Sequence, residues 1–187
     1  MVGDDVVDGI AFRVAGRGDL AGVDALLARS YPRLLKADYP ASVLVTALPI
    51  IARARPELIM SGSYWVAVAA GGIVGTRIVG ARMVGAQIVG AGGWTRASPG
   101  DDGLVAGLGH VRHVVTDDRL VRRGIGRQLM VRAMAQAAAA GVVRLDCLAT
   151  RTAVPFYAAI GFVALGEVEV PLRAGIGFPA VRMQRHL

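Results

Sequence analysis

The sequence predicts a single α/β domain, and three observations support that expectation. First, 187 residues of which 54% are hydrophobic suit one core of ordinary size. Second, short runs rich in β-branched and aromatic residues alternate with longer helical patterns. Third, the strand pattern Val111-Arg112-His113-Val114-Val115-Thr116 leads into a glycine turn, Arg122-Arg123-Gly124-Ile125-Gly126-Arg127. An alanine-rich stretch over 128–140 follows, long enough for about three to four helical turns. Such a turn builds an anion site from main chain. The first N–H groups of a helix lack intrahelical partners, and the macrodipole adds roughly half a positive charge. Glycine lacks the Cβ that would hold a phosphate away from them.

The elements follow in chain order. Residues 1–9 are acidic and glycine-containing and are expected to form a flexible, frayed N-terminus ahead of one domain over 10–187. Ile10-Ala11-Phe12-Arg13-Val14 alternates as a first strand. Asp19 is placed to cap a helix through Val23, Leu26 and Leu27 to about Ser30, where Tyr31-Pro32 should end it. A second helix is expected over 42–54, ahead of Pro56. Residues 64–70 and 88–95 read as antiparallel neighbours. Between them a five-residue glycine unit recurs at 71–75, 76–80, 81–85 and 86–90. Strand side chains repeat every two residues, so an odd period moves the apolar pair from face to face and leaves register poorly specified. The expected result over 71–90 is a lengthened hairpin, with an exposed edge that pairs two subunits into a homodimer as the alternative. Residues 97–107 read as loop and 108–116 as the strand before the glycine turn. Alternation puts His110, Arg112, Val114 and Thr116 on one face of it and Val111, His113 and Val115 on the other. Strands over 144–149, 163–171 and 179–185 complete the set.

Charge and cysteine content narrow the class of function. The chain has a net charge of +7, and residues 110–151 hold eight arginines against three acids. Positive charge therefore collects around the glycine turn, where it would attract phosphates. A solvated basic face, or a nonspecific nucleic-acid patch, is the alternative reading. A single cysteine, Cys147, cannot form an internal disulfide. There is no basic leader with an apolar run behind it, and no stretch of ~18 apolar residues that would span a bilayer. A cytoplasmic protein without a membrane partner is expected, and no metal is called for.

Two familiar phosphate loops fail on this chain. The dinucleotide fingerprint needs a third glycine where Leu129 stands, and the nucleotide triphosphate loop needs Lys and Ser or Thr where Arg127 and Gln128 stand. The turn instead resembles the pyrophosphate loop of the GCN5-related N-acetyltransferases, (Gln/Arg)-x-x-Gly-x-(Gly/Ala), with Val121 in the leading place. A second stretch, from Thr150 to Phe162, resembles the same family's closing motif, Asn-x-x-Ala-x-x-Phe-Tyr-x-x-x-Gly-Phe. Ala153, Phe156, Tyr157, Gly161 and Phe162 match in register, and Thr150 replaces the Asn. The two motifs stand in the family's order, joined by one helix and one strand, and the resemblance extends from about Ala11 onward.

The resemblance implies a mixed, mostly antiparallel sheet of about six to seven strands flanked by about four helices and splayed at the fourth and fifth strands. It implies acetyl-coenzyme A as acyl-donor cosubstrate, held by Val121, Arg122, Arg123, Gly124, Ile125, Gly126 and Arg127 at the pyrophosphate. Val114, Val115 and Thr116 would meet the pantetheine arm at the splay, with Thr150 and Phe156 beside it. Tyr157 is then the general acid for the leaving thiolate: a phenol with pKa near ~10 is protonated at neutral pH, and such donation is worth roughly 10²–10⁴ in rate. A backbone N–H near Val114 would polarise the carbonyl. His110 is the candidate base, because histidine titrates where an amine must lose its proton, with a water chain as the alternative. Tyr31, Lys36, Asp38 and Tyr39, in the connection between the first two helices, are candidate acceptor contacts. Arg112 is a candidate for an acceptor carboxylate. The implied activity is acetyl transfer to an amine of a small molecule or protein by direct attack. The alternative of another class is a noncatalytic module that senses acetyl-coenzyme A or binds nucleic acid.

Overall fold

The structure, a computed structural model, describes residues 5–69, 87–98 and 103–187. The glycine units at 71–75, 76–80 and 81–85, with the expectations placed on them, lie outside the described residues, as do residues 1–4. Among the described residues, eight strands form one mixed sheet: β1 (Asp5–Val7), β2 (Ile10–Val14), β3 (Tyr64–Ala69), β4 (Gln87–Thr95), β5 (Leu108–Thr116), β6 (Arg144–Ala149), β7 (Val163–Arg173) and β8 (Ile176–His186). Their spatial order is β1-β2-β3-β4-β5-β6-β8-β7. Every neighbouring pair is antiparallel except β5 and β6, which are parallel and joined through the helix α4 (Ile125–Ala139). The other helices are α1 (Leu20–Leu35), α2 (Ala41–Ile51), the single turn α3 (Pro56–Ile59) and α5 (Val154–Ala159). Among the described residues the sheet thus has one strand more than the six to seven expected, and the helices number five against about four.

The added strand has a local cause. Residues 5–7, expected to fray, pair with β2 through a turn in which Asp8 and Gly9 take φ of 51° and 75°. Asp-Gly is the dipeptide that favours a two-residue hairpin turn with both central φ positive. Two further expectations change along α1. The helix runs through Pro32 to Leu35; the bond lost at the proline is offset where Leu35 packs with Tyr39, Leu44 and Phe178. Asp19 does not cap α1. Its carboxylate accepts from the Gly16 N–H at 2.8 Å and from both terminal nitrogens of Arg13 at 2.7 Å, closing the turn before the helix.

Two apolar layers cover the sheet. On one face Leu129, Met130, Ala133 and Ala137 of α4 are fully buried against Val89, Val111 and Leu145, and alanine at 133 and 137 lets the helix lie close to the strands. On the other, Val23, Leu26 and Leu27 of α1 and Ile59 of α3 pack on Tyr64, Val66 and Val115. Among the described residues, no helix is long and apolar enough to cross a membrane.

Candidate active site

The parallel pair β5 and β6 shares three rungs, Leu108↔Arg144, Gly109↔Leu145 and His110↔Asp146, and then separates. Beyond that rung β5 stays paired only with β4, and β6 only with β8, so an open slot runs from His110 towards Thr116. This is the splay that the family resemblance implies. A β-bulge lies beside it. Arg112 opposes Gly93 and Val115 opposes Ala91, so His113 and Val114 together face the single residue Gly92. His113 takes φ of 45° to make room for the extra residue, and its carbonyl accepts the Tyr64 hydroxyl at 3.0 Å. A Cβ on Gly92 would lie 2.8 Å from Val114 Cγ2, so only glycine fits opposite the bulge.

The bulge overturns the expected alternation. Val111 and Val114 both pack in the α4 layer, whereas Val115 packs in the α1 layer. His110 and Arg112 therefore face away from Val114 and Thr116, because one inserted residue reverses the pleat between them.

At one end of the slot stands the glycine turn. Gly124 is the residue before α4, in a left-handed conformation with φ of 76°, and Ile125 and Leu129 fix the helix to the sheet by burial. The two glycines have different jobs. A Cβ at Gly124 would meet open space, so its requirement is conformational; one at Gly126 would come within 3.2 Å of the Phe156 ring. Arg122 also sits in the left-handed region, with φ of 67°. Five of the eight arginines over 110–151 are engaged elsewhere. Arg112 donates to Thr95, Arg119 pairs with Asp117, Arg132 lies 4.5 Å above the Phe12 ring, Arg144 stands by Asp146 and Arg151 pairs with Glu167. Arg122, Arg123 and Arg127 remain exposed and, among the described residues, without an ion pair. Of the eight, the three left without such a partner among the described residues all stand on the turn itself.

Asp117, which the sequence reading did not single out, ties this turn to α1. Fully buried, it accepts from the Arg119 backbone N–H at 3.0 Å, from Arg119 Nε and Nη2 at 3.0 and 2.8 Å, and from Arg29 Nη2 at 2.9 Å. The bonds from Arg119, helped by Arg29, hold its carboxyl well below the usual carboxylate range.

At the other end, Cys147 is the first β6 residue past the last rung. Tyr157 is buried in the same apolar cluster as Cys147, and its ring meets Phe156 and Phe162 edge-on at 5.1 and 5.3 Å. Burial pushes the phenol well above its ordinary value and the Cys147 thiol up to about 12, so both remain protonated. Tyr31 packs instead in the α1 layer, where burial likewise pushes its phenol up. A cavity of about 350 Å³ opens against Cys147, lined also by His110, Val111, Asp146, Glu169 and Arg182 among others. Burial lowers the His110 pKa, partly opposed by Asp146, so the imidazole is mostly neutral at neutral pH.

The structure thus gathers Val114 to Thr116, the turn at 121–127 and Phe156 along the slot, with Tyr157 and His110 near its closed end. Thr150 precedes the short turn Arg151–Ala153, and its carbonyl accepts from Ala153. Other candidates lie elsewhere. The Tyr39 hydroxyl donates to the Pro179 carbonyl and accepts from the Arg151 N–H, both at 2.8 Å, so it is engaged within the protein. Asp38 accepts from Thr152, Lys36 is exposed at the end of α1, and Arg112 is committed to Thr95. None of these four lines the cavity. Asp146, Glu169 and Arg182 do. Asp146 was open to detection, as an acid within the apolar strand Arg144–Ala149, whereas Glu169 and Arg182 reach the site only through the pairing of β6, β7 and β8.

A slot between parallel strands, with a helix start at one end and a cavity at the other, defines an acyltransferase of the GCN5-related class. The acetyltransferase (GNAT) domain family matches residues 74–187, and the chain belongs to that family. Among solved structures, the fold is similar to a GCN5-related N-acetyltransferase from Rhodopseudomonas palustris, with 21% identity over 99% of this chain and 100% of that one and a TM-score of 0.69. It is also similar to the PaiA N-acetyltransferase of Thermoplasma acidophilum in complex with coenzyme A, at 12% identity over 95% and 99% of the two chains and a TM-score of 0.65. An acetyltransferase of the family from Streptococcus pneumoniae has 20% identity over 95% and 99%, with a TM-score of 0.59. No curated protein matches the sequence significantly.

Proposed function

We propose that the protein is an acetyl-coenzyme A-dependent N-acetyltransferase that works by direct attack of an amine. The observation that supports this most is the slot, which links a cationic helix start to a buried proton donor. The turn fits a pyrophosphate, because Gly124 leaves its N-terminal face open and the arginines free of ion pairs surround it. The unpaired edge of β5 fits an extended pantetheine arm, with Val114, Val115 and Thr116 alongside. Acetyl-coenzyme A, when bound, supplies the acetyl thioester.

The chain's own residues do the rest. His110, neutral through burial, takes the proton that the attacking nitrogen must lose. A backbone N–H near Val114, presented by the bulge, polarises the acyl oxygen. Tyr157, its phenol pushed up by burial, keeps its proton at any working pH and delivers it to the departing sulfur. The acceptor enters through the cavity beside His110, on the α1 face of the sheet. Incubation with acetyl-coenzyme A and a panel of amines should release free thiol in step with acetylated product. Failure of acetyl-coenzyme A to bind, measured by calorimetry, would refute the reading.

A further inference from the structure

Resting on that reading, we infer that the cavity beside His110 selects its acceptor as a cation: a primary ammonium on a short apolar stem, held by Asp146 within and Glu169 at the rim. Asp146 is 8% exposed and lines the cavity. Arg182 Nη2 stands 3.7 Å from its Oδ2. Arg144 Nε lies 3.1 Å from its Oδ1, yet the N–H is not aimed at the oxygen, and both atoms are buried without a hydrogen bond. A buried charged oxygen lacking a donor is a costly arrangement that a ligand can relieve. An ammonium brings three donors and the opposite charge.

Glu169, on β7, lines the same cavity and, among the described residues, forms no ion pair, whereas its neighbour Glu167 is taken by Arg151. Arg144 and Arg182 both stand by Asp146, so among the described residues the carboxylate facing this space without a cation is Glu169, and Asp146 offers its oxygen that lacks a hydrogen bond. Arg112 is held away by Thr95, and His110 is neutral. Val111, Leu148, Val168, Val170 and Pro171 make most of the remaining wall apolar, with Ser98 as a small polar member, which suits a hydrocarbon stem. An acceptor carrying its own carboxylate would meet Asp146 and Glu169 and be rejected. His110 shares a rung with Asp146, so an ammonium anchored on the acid lies beside the imidazole that receives its proton, leaving the neutral amine.

Calorimetry on the protein saturated with coenzyme A tests this without turnover. The probes are phenethylamine, its uncharged isostere 2-phenylethanol, and phenylalanine, which adds a carboxylate to the same stem. Phenethylamine should bind at least about ten-fold more tightly than the other two, and less tightly as salt rises. Glu169→Gln, at an exposed position that should not disturb folding, should weaken phenethylamine several-fold and leave 2-phenylethanol unchanged. Asp146→Asn should weaken it further. Equal affinity for the three probes, no measurable phenethylamine binding, or an unchanged affinity in Glu169→Gln would each overturn the assignment. Coenzyme A and acetyl-coenzyme A are titrated first. If neither binds, the acyltransferase reading falls, and the amine titration on the free protein still decides the subsite; if they bind and the amine does not discriminate, only the subsite falls.

Discussion

Arg122 occupies a backbone conformation that suits glycine, in the middle of a turn whose free charge is the proposed phosphate grip. Replacing it should move stability and affinity in opposite directions. A left-handed conformation costs a residue with a Cβ roughly 1–2 kcal/mol, and glycine gives back about 0.5–1 of that through its freer unfolded chain. Arg122→Gly should therefore stabilise the unliganded protein by about 0.5–1 kcal/mol, or about 1–4 °C in Tm for a chain of this size. Arg122→Ala keeps the strained geometry and should show no such gain. Both variants lose one exposed cation beside the phosphates, so acetyl-coenzyme A affinity should drop about two- to five-fold in each, and less at high salt. Thermal unfolding of the three proteins, with and without ligand, gives both quantities. If the glycine and alanine variants melt together, the strain argument is wrong. If affinity is unchanged in both, Arg122 does not touch the phosphates.

Other outcomes follow from the same geometry. Tyr157→Phe keeps the ring between Phe156 and Phe162 but removes the proton, so kcat should drop about 10²-fold while acetyl-coenzyme A affinity holds; equal turnover would take Tyr157 out of the chemistry. Because burial lowers the His110 pKa, kcat/KM should rise with pH to a plateau through a midpoint below 6.5, and His110→Ala should abolish that limb. Asp117 has a depressed folded pKa, so its stabilisation is complete above its unfolded value near ~3.9 and is lost as pH falls below it; Asp117→Asn should be less stable at pH 7 and lose less between about pH 4 and 2. Gly126→Val should weaken acetyl-coenzyme A binding by displacing Phe156 from the slot, which a shift in tyrosine or phenylalanine signals of the unliganded protein would reveal.

The parts of this molecule that were legible in the sequence are those whose physics is local. Gly124 at a helix start and the spacing of Ala153, Phe156 and Tyr157 needed no knowledge of the sheet. The hairpin at Asp8-Gly9 was written just as locally, and acidic composition obscured it. The facing of His110 could not be read. It depends on a residue inserted opposite Gly92, and that insertion is fixed by Tyr64 from another strand and by packing of Val114 and Val115 against different helices. The partners of Tyr39 and Arg112 were hidden for a related reason: a polar side chain in a loop or strand looks available until the backbone groups of Pro179 and Arg151, or the Thr95 hydroxyl, arrive beside it. Arginine number, likewise, said little until the pairs had formed and left three uncommitted on the turn.

The Tyr39 hydroxyl acts as a rivet through three sections of chain. It fastens the connection between α1 and α2 to β8 by the Pro179 carbonyl, and to the turn that leads into α5 by the Arg151 N–H, while Phe178 stacks on its ring at 4.8 Å. Segments that join helices are commonly the adaptable part of a binding surface. Here that freedom is removed, because any swing of the connection must drag β8 and the helix bearing Tyr157 with it. On the proposed reading, Tyr157 and this connection consequently keep a fixed spacing, and discrimination among acceptors falls to side chains standing in a rigid frame.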